Sequence, residues 1–190
     1  MINTVSTDAF LPHILPMVIG CPKSMAVDAL QVSIGEFCKR SEAWTDVLTE
    51  SVYTGDSTID LNPGGNRIVA RVLGLSIDGA RIDNKAYFAQ VYSIILRFAP
   101  SSNAVAYVTV ALRPSRTATH VPQFLYDEWC EPIASGAVFR LKMMTGPKIT
   151  WSDPQGAVYH QKVAIEGTAE ARARQMRCRY GDGGSIFLGA

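Results

Sequence analysis

Leu112–Gly136 reads LRPSRTATHVPQFLYDEWCEPIASG, and the periodicity of the residues around it changes across this stretch. From Asp46 to Leu112 the apolar residues alternate with period two, as on strands. After Pro122 they recur at helical spacing: Phe124, Leu125, Trp129, Ile133, Ala137, Val138, Leu141 and Met144, stopping at Thr145-Gly146-Pro147. The stretch also gathers two arginines, a histidine, three acidic residues and a cysteine, so it invites a catalytic reading. Position favours a seam instead. Arg113 to His120 leaves the last strand, Val121-Pro122 turns the chain, and Phe124, Leu125 and Trp129 anchor the returning helix. Asp127 and Glu131, four apart, share a helix face away from the apolar one, as on a solvated or contacting surface. Pro132 inside this helix should kink or split it.

Outward from the seam the chain falls into blocks. Residues 7–44 read as helical, with Pro12 and Pro16 interrupting a first segment and Pro22 opening a longer one. In that longer run Leu30, Ile34, Phe37 and Trp44 mark the buried face. Between 46 and 112, β-rich runs are punctuated by turn signals, of which Asp78-Gly79 is the best hairpin signal. Asp153-Pro154 reads as N-cap and first residue of a last helix extending to Arg179. The order helix, sheet, helix predicts an α+β fold. Residues 1–45 and 121–179 form a helical bundle, 46–120 an inserted small antiparallel sandwich or barrel, and 180–190 an extended tail.

Composition bounds the function. The 190 residues suit one ordinary domain with an insertion, and only 18% of them are charged against 47% hydrophobic, so partners are expected to cover the surface. A formal net charge of +1 argues against binding nucleic acid chiefly through phosphate contacts. Cys21, Cys38, Cys130 and Cys178 show neither a C-x-x-C pair nor metal-ligand spacing and read as free thiols of a reducing compartment. The apolar N-terminus lacks a basic leader, and no run is long enough for a membrane helix, so a soluble, intracellularly made protein is expected.

Chemistry-bearing candidates are sparse. Cys130 with His120 or His160 is the thiol–imidazole candidate, but the acidic DEWCEP context disfavours the thiolate. His13, His120 and His160 are too scattered for a metal motif. Asn62–Asn66 and Gly181–Gly184 match no phosphate-binding pattern, so neither cofactor nor metal is expected. Tyr87, Phe88 and Tyr92 could line a ligand pocket of a β module. On the last helix Arg172, Arg174, Arg177 and Arg179 follow Glu166 and Glu170, an order that suits the helix dipole or provides an anchoring face for an acidic partner. The apolar Ile186, Phe187 and Leu188 beyond it invite a docking role.

The GCP turn before a helix ending in EFCKRSEAW, the insertion opening TGDSTIDL, the junction ALRPSRTATHVPQFLYDEW, then IASGAVFRLKMM and WSDPQGAVYHQKVAIEGTAEARARQ together resemble head–tail adaptors of tailed bacteriophages. These are connector proteins similar in layout to the podovirus tail tubular protein A. The resemblance spans nearly the whole chain and carries no catalytic signature. It implies a non-enzymatic ring subunit, dodecameric, between the portal and the tail nozzle or tail tube, in the virion after synthesis in the host cytoplasm. DNA would pass the lumen without sequence-specific binding, and no membrane is involved. The resemblance also implies that residues 180–190, from Tyr180 through Ile186, Phe187 and Leu188, reach the portal together with the arginine-bearing end of the last helix. A tail completion or terminator subunit would share the ring but face other neighbours.

Overall fold

The computed structural model describes residues 3–147 and 149–180, the side chain of Tyr180 excepted. In chain order the elements are β1 (Thr4–Ser6), α1 (Leu11–Ile14) between two short 3-10 turns, α2 (Lys23–Ser41), β2 (Thr45–Val52) and β3 (Thr58–Asp60). There follow β4 (Arg67–Ile77), β5 (Ala80–Arg81), β6 (Tyr87–Ala89), β7 (Ser93–Leu96), β8 (Ala104–Pro114), β9 (His120–Pro122), α3 (Gln123–Lys142) and α4 (Pro154–Tyr180). The fold is α+β, as the change of period requires.

The inserted region is antiparallel, but its sheets stay open. A four-stranded sheet runs β2-β8-β4-β5, a three-stranded one β3-β7-β6, and neither closes on itself, so the barrel alternative is not formed. On β8, Ala106, Val108, Val110 and Leu112 are fully buried while Val105 and Tyr107 face outward, the alternation expected of a strand covered on one side. The helix α2 packs on this strand. The residues buried by both sheets, Val52, Ile59, Leu75, Ile94 and Leu96 among them, join those of the helices in one hydrophobic core. At the β4–β5 hairpin Asp78 and Gly79 both take positive φ (48° and 82°), the geometry a two-residue turn needs to match strand twist.

The seam differs in detail from its sequence reading. His120-Val121-Pro122 is strand β9, paired with β1, and Thr7 N–H donates to the Thr119 carbonyl at 2.9 Å, so the N-terminus is stitched to the junction before α3 starts. In the helical block expected over 7–44, the proline-interrupted first segment is three short turns and the longer run is α2, which ends at Ser41 and not at Trp44. Of the anticipated helical core, Leu30, Ile34, Phe37, Trp44, Leu125, Trp129, Ile133 and Leu141 are buried and Phe124 is half-buried.

Three helices make a layer whose close approaches explain its small residues. Pro132 lacks the N–H that would bond the Glu128 carbonyl and its ring crowds that carbonyl, so α3 kinks at Trp129 (φ −128°, ψ 19°). The half-buried ring meets α4 at Gly167, where a Cβ would stand 2.5 Å from the proline Cβ. One turn on, a Cβ at Gly136 would collide with the Ser33 hydroxyl of α2, which donates to the Ile133 carbonyl at 2.6 Å. Gly35, by contrast, has nothing near it and serves no close approach.

Candidate interaction surface on the helical layer

At the C-terminus of α2 the chain enters the left-handed region at Glu42 (φ 53°, ψ 29°), its N–H closing on the Cys38 carbonyl at 3.0 Å. A non-glycine residue there costs about 1 kcal/mol, and the side chain explains why glutamate occupies the position. Its carboxylate is 2% exposed and meets three arginines: Arg71 of β4 (3.1 Å), Arg172, and Arg179 (2.6 Å) of α4. Burial pushes the Glu42 pKa up, but the hydrogen bonds and charges of Arg172 and Arg179 outweigh it and hold the carboxyl below its usual range. The last two turns of α4 are thereby clamped to the α2–β2 junction.

This locates the arginines that the sequence offered as an anchoring face. The acid for Arg172 and Arg179 is the chain's own Glu42, and Arg174 pairs with Glu128 of α3. Arg172, Arg174 and Arg179 are thus paired within the chain, whereas Arg177 is exposed and in none of these pairs among the described residues. Ile186, Phe187, Leu188 and the Tyr180 side chain, the other docking candidates, lie outside the described residues.

The thiol–imidazole candidates are brought together only in part. His13, Cys130 and His160 line one cleft of about 440 Å³, but no hydrogen bond joins the thiol to an imidazole among the described residues, and His120 lies at β9. Burial and then the Glu131 carboxylate raise the Cys130 pKa, so the thiol stays protonated. Burial, then the Lys142 charge, lowers that of His160. All four cysteines are free, and among the described residues no group of three His, Cys, Asp or Glu side chains could hold a metal. Of the aromatic triad, Tyr87 is buried with its hydroxyl donating to Asn84 at 2.8 Å, whereas Phe88 and Tyr92 are 61% and 68% exposed. They project outward instead of sharing a pocket with Tyr87. No helix among the described residues is long and apolar enough to cross a membrane.

What the helical layer does present is two grooves flanking α4. One, of about 440 Å³, lies between α2, α3 and α4, with Phe37, Phe139 and Ile165 on its apolar wall; Arg40, Arg140 and Arg172 line it with one acid, Glu36, which pairs with Arg40 at 3.4 Å while Arg172 turns to Glu42. The other, about 380 Å³, lies past the Pro132–Gly167 contact and carries Glu128, Glu131, Glu166 and Glu170 against Arg174 alone. On α4 the first groove uses positions 161, 164, 165, 168, 169 and 172 and the second 163, 166, 167, 170 and 174, which at 100° per residue centre about half a turn apart. The order of acids then arginines along α4 was visible in the sequence; the separation of charge onto opposite flanks also involves residues of α2 and α3. No protein-family model matches the chain, and no curated protein is significantly similar to it.

Proposed function

We propose that this chain is a non-enzymatic virion structural protein, a head–tail adaptor whose copies form a dodecameric ring joining the portal to the tail nozzle or tube and continuing the DNA channel. The observation that carries the reading is the splice: α2 from one end of the sequence and α3 and α4 from the other make a single helical layer, with open β sheets inserted between them. That layer offers two unlike flanks, as a subunit needs when each neighbour contacts it differently. Among the described residues no hydrogen bond joins Cys130 to His120 or His160. A near-neutral chain also suits a lumen that DNA must traverse without sticking. Residues 180–190 dock to the portal in this reading. Mixing purified portal with the full chain, and with a chain ending at Arg179, tests it. The full chain should shift portal to a heavier complex in native mass measurement, and the shortened one should fold but leave portal unshifted. Equal binding by both would remove the docking role, and no binding by either would remove the adaptor reading.

A further inference from the structure

The outer face of α4 carries an apolar pattern left uncovered among the described residues. Over 27 residues, about 40 Å of helix, Val158, Ile165, Ala169 and Met176 recur at spacings of seven, four and seven, so they form one stripe. Val158, Ile165 and Met176 are 61%, 55% and 42% exposed. Single exposed apolar residues are ordinary, but this stripe borders the apolar-walled basic groove, and the flank opposite that groove is acidic.

We propose that the outer face of α4 is the contact between neighbouring copies of this chain, the acidic flank of one copy seating in the basic groove of the next. The inference rests on the ring reading and names the surface that builds the ring. Charge selects the occupant. A two-fold contact through either flank would set Glu128, Glu131, Glu166 and Glu170 against themselves, or Arg40 and Arg140 against themselves, and like charges face to face cost several kcal/mol. Acid against base is satisfied when the acidic flank of one copy meets the basic groove of another, and repeated head to tail around an axis that contact can close into a ring. The stripe adds the apolar burial that rim charges alone do not supply.

Two exposed residues make the test, because reversing them should leave the fold intact. Glu170→Lys spoils the acidic flank and Arg140→Glu the basic groove. Each variant alone is expected to weaken self-association at least about 10-fold, read by sedimentation or mass photometry of the full chain, with portal as template if wild type needs it. Mixed together they should recover assembly, since the boundaries then alternate between the native pair and the exchanged one. The variant carrying both changes should recover assembly. Wild type forming rings while both single variants do the same would overturn the contact and leave the ring reading standing. Wild type that stays monomeric with and without portal would overturn both.

Discussion

Glu42 shows how one residue can be placed against its own backbone preference. Its left-handed φ would suit glycine, and the sequence EFCKRSEAW gives no sign of a helix ending there, so the expected helix runs on to Trp44. The arginines were legible as a set, but their partner was not, because Arg179 meets Glu42 across 137 positions. Glu42→Gln is expected to destabilise the fold by about 3 kcal/mol, the lower end for breaking a buried pair because the arginines keep some solvent, as measured by urea denaturation. The pH dependence has a definite sign. A carboxylate held below its unfolded pKa, about 4.3, adds stability above that value and loses it as pH falls through the folded one. Wild type should therefore lose stability more steeply than Glu42→Gln below about pH 4.3, and parallel acid limbs would refute the clamp. Cys130→Ser, by contrast, should leave self-association and portal binding unchanged, and loss of either would restore interest in the thiol.

Elements were legible where a local signal is strong. The Asp78-Gly79 hairpin and the Asp153 cap of α4, whose carboxylate accepts the Gly156 N–H at 2.9 Å, follow from residue chemistry alone. Strand β9 was not legible, since three residues ending in proline carry no period and pair with a strand more than a hundred positions away. Pro132 announced a distortion; that α3 yields at Trp129, and that the proline ring then packs on Gly167, depends on α4. Gly167→Ala should cost about 1–3 kcal/mol through overpacking, and most of that cost should vanish in a Pro132→Ala background. A double-mutant cycle in urea measures it, and a cost independent of residue 132 would mean that the two helices do not meet there.

At the scale of the whole molecule the sequence shows the α+β class and the splice, because the period changes twice, but not how the sheets close or share a core. The open sheets and the helices bury their apolar residues together, from Phe10 through Val108 to Leu141, so the insertion has no separate core. Calorimetry of the free chain should accordingly show one cooperative transition, and two well-separated ones would contradict a shared core. The opposed charges flanking α4 likewise belong to the whole helical layer, since they combine residues of α2, α3 and α4. Function rests at this scale too, on copies and neighbours. Imaging the full chain mixed with portal protein is its most direct test. The expected result is a closed ring stacked coaxially on the portal with the α4 helices at the subunit boundaries; a portal without added density, beside free monomers, would contradict it.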